Sequence, residues 1–156
     1  MNLGFLRNCA TLGYIGYLPA PGTCASLVTI PVALFFTLYL PSWYLIAVIM
    51  GYCVSYSIVT TVLSSFGEPD PSCIVLDEVI GCLIALYALP FSWIAWVSAF
   101  VFFRFFDINK FGLVALSEKA SGATGIMLDD LVAGVLSNLC VHLLLVLLNG
   151  GLYAAL

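Results

Sequence analysis

Eleven of the twelve charged residues in this chain of 156 lie between Glu68 and Asp130, within a sequence that is otherwise almost entirely apolar. Five of them are carboxylates that stand directly beside long apolar runs, namely Asp77, Glu78, Asp107, Asp129 and Asp130. An ionised side chain next to hydrocarbon costs on the order of 2.5–3.5 kcal/mol even on lenient membrane-insertion scales. Such groups usually persist only when they are paired, bind a metal ion or take part in chemistry. These five are therefore the first candidates for a functional site.

Two basic residues flank one of these carboxylates in the pattern Arg104-x-x-Asp107-x-x-Lys110. Because residues three positions apart are neighbours on a helix surface, the spacing predicts that the three side chains share one face. Arginine can grip a phosphate through two parallel hydrogen bonds, and lysine attracts it as a point charge. The aspartate between them can hold a metal ion. The same spacing also fits an ion cluster that only neutralises itself at a membrane interface.

Two pairs of adjacent acids, Asp77-Glu78 and Asp129-Asp130, are predicted to stand near the beginnings of helices. A carboxylate there gains typically about 0.3–1 kcal/mol from the helix dipole, so a capping role is one explanation. Neighbouring carboxylates repel each other unless a cation separates them or one of them stays protonated. If the two pairs and Asp107 converge, they form an oxygen-rich site for Mg²⁺, which prefers a few carboxylates, waters and phosphate oxygens.

The composition is that of a membrane protein. Hydrophobic residues make up 63% of the chain, charged residues only 8%, and the mean hydropathy is +1.18, whereas soluble domains carry roughly 25% charged residues. The length suits a single domain over residues 1–156. The net charge of −4 argues against nucleic acid as a partner, because no basic patch could neutralise its phosphates. The six cysteines include no C-x-x-C pair, which argues against a zinc site or a disulfide framework.

Apolar runs separated by Pro, Gly and polar residues predict an all-α fold, a compact polytopic bundle of membrane helices. The runs cover residues 24–40, 43–63, 74–106 and 131–148. Pro90 interrupts the third run. If the chain bends there into a hairpin, Asp107 returns to the same membrane side as Asp77. Residues 64–72 are predicted to form an exposed loop.

The residues Pro21-Gly22-Thr23 precede the first of these runs. Thr23 or Ser26 can cap the helix by accepting a hydrogen bond from a backbone N–H. Alternatively, the N–H groups at this helix start and the Thr23 side chain can bind a phosphate or glycerol oxygen.

The few basic residues all fall on one side of the membrane if the hairpin forms. They are Arg7, Arg104, Lys110 and Lys119. Since positive charge is concentrated in cytoplasmic loops, this side is predicted to face the cytoplasm.

Four segments taken together resemble the phosphatidylglycerophosphatase A family of Mg²⁺-dependent lipid phosphatases. They occur in the family's order and cover most of the chain from residue 13 to residue 134. The segments are Gly-Tyr-Leu-Pro-Ala-Pro-Gly-Thr at 16–23 with Ser26, Asp-Glu-Val-Ile-Gly at 77–81, Phe-Arg-Phe-Phe-Asp at 103–107 with Lys110, and Gly-Ile-Met-Leu-Asp-Asp-Leu-Val-Ala-Gly at 125–134.

The resemblance implies an all-α enzyme that removes the terminal phosphate of phosphatidylglycerophosphate at the cytoplasmic face of a bacterial inner membrane. The phospholipid and the membrane are then its partners. On this reading the five carboxylates provide the Mg²⁺ ligands and the catalytic groups. Arg104, Lys110 and the Thr23 loop bind the phosphate.

Two other functions fit parts of the pattern. A CDP-alcohol phosphotransferase also gathers aspartates around a metal ion, but it needs an Asp-Gly-x-x-Ala-Arg motif, and Asp130-Leu-Val-Ala-Gly lacks its Gly and Arg. A small cation transporter or channel would use carboxylates inside the membrane. Its acids are expected in the middle of a span, whereas these lie at the ends of the apolar runs.

Overall fold

A computed structural model describes residues 2–117 and 120–153, and all the regular secondary structure among these residues is helical. Seven α-helices follow one another: α1 (Leu3–Ala10), α2 (Pro21–Tyr39), α3 (Pro41–Val62), α4 (Leu76–Leu86), α5 (Trp93–Asn109), α6 (Leu113–Ser117) and α7 (Ala123–Tyr153). Short 3₁₀ turns cover Ile15–Tyr17 and Leu63–Ser65. The predicted all-α fold class is confirmed.

Three helices are long and apolar enough to cross a membrane by length and composition. Among the described residues these are Pro21–Tyr39, Pro41–Ser65 with its 3₁₀ turn, and Ala123–Leu148 within α7. Their outward faces carry large exposed apolar side chains, among them Phe35, Ile49 and Val146. The chain therefore has the surface of a membrane protein.

The short helix α4 occupies the centre of the bundle. It packs against α2, α3, α5 and α7, and most of its residues are buried. Carbonyl groups near its C-terminus would lack partners in so apolar a setting. Tyr44 of α3 donates a hydrogen bond to the Leu83 carbonyl at 3.0 Å, and Asn138 of α7 donates to the carbonyls of Ala85 and Tyr87 at 3.1 and 2.7 Å. Polar side chains of two neighbouring helices thus fix the position of α4.

The predicted hairpin at Pro90 is present. After α4 the chain turns through residues 87–92, with Ala88 at a positive φ of 55°. The Ser92 hydroxyl then accepts a hydrogen bond from the Ala95 N–H at 3.2 Å and caps α5. Helix α5 runs back along α4, so that its C-terminal end lies beside the N-terminal end of α4. Helix α4 has 11 residues and so occupies only part of the apolar stretch 74–89 that precedes Pro90.

Two predicted helix starts were wrong. Helix α2 begins at Pro21, which suits the first helical position because proline needs no partner for a backbone N–H. Thr23 and Ser26 therefore lie inside the helix, and the Ser26 hydroxyl donates to the Gly22 carbonyl at 2.8 Å instead of capping. The last helix begins at Ala123, so Asp129 and Asp130 stand about two turns inside it and cannot act as caps.

The hairpin predicts that residues 64–72 and 111–128 lie on one membrane side and that Phe91 lies towards the other. Single cysteines replacing Glu68, Ser121 and Phe91, in a variant without native cysteines, can be labelled from either side of sealed vesicles with a membrane-impermeant maleimide. We expect positions 68 and 121 to react from the same side and position 91 from the opposite side. Labelling of 68 and 121 from opposite sides would contradict the arrangement. Lys119, which supported the predicted orientation, lies outside the described residues.

Candidate active site

A cavity of about 320 Å³ lies where the N-terminal ends of α2 and α4, the C-terminal end of α5 and the second turn of α7 meet. The loop before α4 closes one side of it. The cavity brings together seven of the eight predicted site residues: Asp77, Glu78, Arg104, Asp107, Lys110, Asp129 and Asp130. The eighth, Thr23, does not line the cavity, whereas its neighbours Pro21 and Gly22 do.

Three of the carboxylates are close enough to share one metal ion. Ligand oxygens of Asp77, Glu78 and Asp130 all lie within 4.8 Å of one another. Asp77 and Glu78 stand in the first turn of α4, where the Asp77 Oδ1 accepts a hydrogen bond from the Glu78 N–H at 3.1 Å. Asp130 reaches them from α7 and is almost fully buried.

Contacts between glycine residues allow this convergence. The position of a Cβ on Gly134 of α7 would overlap the carbonyl oxygen of Gly81 on α4. A Cβ on Gly81 would in turn lie 2.6 Å from both the Asp130 carbonyl oxygen and the Phe103 ring. Only residues without a side chain let two helix backbones approach so closely. Since this contact is about one turn beyond the carboxylates on each helix, it places Asp130 beside Asp77 and Glu78.

Two further carboxylates hold the basic side chains. The Asp107 Oδ2 lies 2.7 Å from the Arg104 Nη1, one helical turn away on α5. The Asp129 Oδ2 accepts a hydrogen bond from the Lys110 Nζ at 2.9 Å. Lys110 ends α5 in the left-handed conformation, with φ 48°, so its side chain leaves the helix and turns towards α7. Arg104 and Asp107 share a helix face as predicted, whereas Lys110 reaches the site from just beyond the helix.

The guanidinium of Arg104 retains hydrogen-bonding capacity. Its Nε and Nη1 atoms are buried and have no hydrogen-bond acceptor among the described residues. The contact with Asp107 brings opposite charges together but lacks the geometry of a hydrogen bond, so the hydrogens on Nη1 remain available. A buried donor without a partner costs roughly 1–3 kcal/mol, which an anion bound in the cavity would recover.

The electrostatics of the cavity favour a bound cation. Its lining contains six carboxylates and only two basic side chains among the described residues, a formal excess of four negative charges. Burial raises the pKa of Asp77 well above its usual value, and the neighbouring Glu78 charge raises it further. Burial also raises the pKa of Glu78, with a further contribution from the Asp107 charge, while Asp77 and Arg104 act in the opposite direction. A divalent cation would remove this penalty.

The three converging carboxylates fit a metal ion of the Mg²⁺ type. Every donor in the group is an oxygen, as hard divalent cations require. The Glu78 Oε2 atom is buried without a hydrogen-bond partner among the described residues, although a buried carboxylate oxygen normally has one. Asp77, Glu78 and Asp130 are thus the residues that could hold the ion.

The loop before α4 contributes residues that the sequence analysis missed. Asp70, Pro71 and Ser72 line the cavity, although the segment was expected to be only an exposed connection. The loop is held in place because the Val75 N–H donates to the Ala10 carbonyl at 3.0 Å and the Ile74 N–H to the Pro71 carbonyl at 2.9 Å. The acid between two prolines, Pro69-Asp70-Pro71, was the available signal, since proline restricts the backbone on both sides.

Gly22 is expected to set the position of the Glu78 carboxylate. A Cβ on Gly22 would overlap the Glu78 Oε1 and lie 3.1 Å from the Arg104 Nη1. In Gly22→Ala the Glu78 side chain must rotate away from its preferred position, at a cost of about 0.5–1.5 kcal/mol, which corresponds to roughly a 2- to 12-fold loss of affinity for a metal ion. Binding of Mn²⁺, followed by electron paramagnetic resonance, measures the effect.

The matched control for this substitution is Gly4→Ala. A Cβ on Gly4 would lie 3.4 Å from the Asn2 Oδ1, an ordinary contact, in a helix that does not line the cavity. Both variants should melt close to the wild type, because alanine favours helix over glycine. Equal Mn²⁺ affinity in Gly22→Ala and the wild type would show that Glu78 is not a ligand.

Comparison with known proteins assigns the chain to a family. The family profile described as phosphatidylglycerophosphatase A matches residues 8–145. Phosphatidylglycerophosphatase A of Escherichia coli (strain K12) is 38% identical over 119 residues, which are 75% of this chain and 69% of that protein. The Haemophilus influenzae (strain ATCC 51907 / Rd) protein of the same name is 36% identical over 120 residues, which are 75% of this chain and 74% of that protein.

A third relative carries a different name. A protein of Bacteroides thetaiotaomicron (strain ATCC 29148 / VPI-5482), provisionally named phosphatidylinositol-3-phosphatase, is 37% identical over 130 residues, which are 78% of this chain and 82% of that protein. No solved structure shows significant similarity to the chain. The profile covers most of the chain, including all the residues that line the carboxylate cavity, and the protein belongs to the phosphatidylglycerophosphatase A family of membrane phosphatases.

Proposed function

We propose that this protein removes the terminal phosphate from phosphatidylglycerophosphate in a Mg²⁺-dependent reaction, which leaves phosphatidylglycerol in the membrane. The observation that carries the proposal is the cavity in which three carboxylates within 4.8 Å of one another stand beside an arginine with unused N–H groups. This combination matches a phosphomonoester together with a divalent cation. Membership of the family and the names of two relatives support the choice of lipid.

Asp77, Glu78 and Asp130 would hold the ion, because only these described side chains offer oxygens close enough to share it. When bound, Mg²⁺ would withdraw charge from the phosphate oxygens and increase the acidity of a water molecule at the site. The protein's own contribution is to keep the three carboxylates together at the cost of their mutual repulsion. The glycine contact between α4 and α7 does this through the fold.

Arg104 would grip the phosphate. Its Nε and Nη1 atoms donate no hydrogen bond to a described residue, and an ion pair in which the Asp107 Oδ2 lies 2.7 Å from Nη1 holds the guanidinium in place. Negative charge spreads over the phosphoryl oxygens as the P–O bond breaks, so donors already in place stabilise the transition state without reorganising. Lys110, held by Asp129, would add a second positive charge at the cavity edge. Thr23 lies one position beyond the lining residues, and its part in phosphate binding stays a prediction.

The membrane side is part of the proposal and is supported by the positions of the basic residues. The proposal places the cavity at the cytoplasmic face of a bacterial inner membrane, where Arg7, Arg104 and Lys110 lie at one end of the bundle. The cation transporter considered above is disfavoured, because the carboxylates gather in one cavity at the helix ends and do not follow a path across the bundle.

Phosphate release from purified protein in detergent tests the proposal. With phosphatidylglycerophosphate the wild type should release phosphate, lose this activity in chelator and regain it with Mg²⁺. Arg104→Lys keeps the charge but loses the planar fork. A hydrogen bond to a charged group is worth roughly 1.5–3 kcal/mol, so kcat/KM should fall about 10- to 150-fold. Glu68→Gln is the control, because Glu68 is an exposed charged residue in the loop before α4 and does not line the cavity.

Three results would count against the proposal. Absence of phosphate release by the wild type would refute the reaction, and activity unaffected by chelator would refute the metal dependence. Wild-type kinetics in Arg104→Lys would show that Arg104 does not bind the phosphate through a planar fork, and the phosphate contact would then have to lie elsewhere. Phosphatidylinositol 3-phosphate belongs in the same assay because of the Bacteroides relative. Faster hydrolysis of that lipid would change the proposed substrate but not the proposed chemistry.

A further inference from the structure

The ring of helices around α4 is open at one place. Its members pack against their neighbours in the order α2 with α3, α3 with α7, and α7 with α5. Within the described part of the chain, α5 and α2 do not pack closely against each other, although each packs against α4. Among the described helices the ring therefore has a single open side, between α2 and α5.

An apolar groove of about 230 Å³ occupies this opening. It is lined by Leu27 and Ile30 of α2 and by Trp96, Val97 and Phe100 of α5. The one polar hydrogen among these side chains, on the Trp96 indole, is donated to the Pro90 carbonyl at 3.2 Å. Leu27 and Val97 are about half exposed, at 51% and 53%. The groove thus offers hydrocarbon and aromatic surface that no part of the described chain covers.

The groove lies further along the same two helices that border the carboxylate cavity. Gly22 and Arg104 meet at the cavity, where a Cβ on Gly22 would lie 3.1 Å from the Arg104 Nη1. Leu27 follows Gly22 by five residues, or about 8 Å of helical rise. Val97 precedes Arg104 by seven residues, or about 10 Å. Helix α2 begins at the cavity and helix α5 ends there. Leu27 and Val97 are therefore displaced from the cavity in the same direction, into the apolar part of the bundle.

We propose that the open side between α2 and α5 is where the lipid substrate enters, and that the groove holds part of an acyl chain during hydrolysis. This inference rests on the proposed function. In phosphatidylglycerophosphate a glycerol and a phosphodiester separate the terminal phosphate from the acylated glycerol. A separation of about 8–10 Å between Arg104 and the groove suits that spacing, by helical rise. Among the described helices, the other three sides of α4 are closed by packed neighbours, so this opening is the route by which a lipid could approach the cavity sideways.

Filling the groove should weaken binding of the lipid without disturbing the chemistry. Val97→Trp and Leu27→Trp place a large side chain in the space proposed for the acyl chain. Loss of contact with one or two methylene groups, each worth about 0.8 kcal/mol, should raise KM for phosphatidylglycerophosphate in mixed micelles about 4- to 15-fold while kcat stays near the wild type. The matched control is Val146→Trp, since Val146 is also exposed, at 66%, but lies on α7 away from the groove.

A deacylated substrate separates the groove from the cavity. Glycerophosphoglycerophosphate has the same terminal phosphate but no acyl chain, so any hydrolysis of it should be equal in the wild type and the two filled variants. The inference is overturned if the filled variants retain the wild-type KM for the lipid, or if they lose activity on both substrates equally. If the wild type hydrolyses neither substrate, the proposed function itself is wrong, and the inference that rests on it falls with it. If only the inference about the groove is wrong, the wild type hydrolyses the lipid and the two filled variants have the same KM as the wild type.

Discussion

The backbone contact between Gly81 of α4 and Gly134 of α7 determines how close Asp130 lies to Asp77 and Glu78. Any side chain at either position would push the two helices apart and separate Asp130 from the acids at the start of α4. Helices in membranes lack a hydrophobic force that drives them together, so close packing of small residues is a principal means of association. The contact thus supplies both helix packing and the geometry of the cavity.

Placing three carboxylates within 4.8 Å of one another at the edge of an apolar bundle is unfavourable in itself. The chain limits this cost by pairing the other two acids of the group with Arg104 and Lys110, at 2.7 and 2.9 Å. A divalent cation would offset the remaining excess of negative charge, and an anionic phosphate group could then bind beside it. Stability and function therefore oppose each other here, as is common where like charges are held together for chemistry.

Much of the site could be predicted from local patterns. Pro90 and the lengths of the flanking apolar runs sufficed to predict a hairpin that brings Asp107 back towards Asp77. The predicted start of the last helix was wrong because glycines were taken as breaks between the apolar runs, and Gly122 and Gly125 stand just before the run at 131–148. In the structure Gly122, at φ 65°, ends the turn, and Gly125 lies in the first helical turn, where packing outweighs its weak helix propensity.

Features that depend on distant contacts could not be predicted. The place of the Asp70 loop in the cavity depends on the hydrogen bond between Val75 and Ala10, which are 65 residues apart. The groove between α2 and α5 likewise exists because these two helices do not pack closely against each other, and the hydrophobic pattern of the sequence does not indicate which helices pack together.

The central claim is that Asp77, Glu78 and Asp130 form one metal site, and an anomalous-difference map from crystals grown with Mn²⁺ tests it most directly. Mn²⁺ accepts the same oxygen ligands as Mg²⁺ and can be located by its own scattering. We expect one strong peak about 2 Å from an oxygen of each of the three carboxylates. A peak between Asp107 and Asp129, or no peak in this cavity at saturating Mn²⁺, would contradict the account.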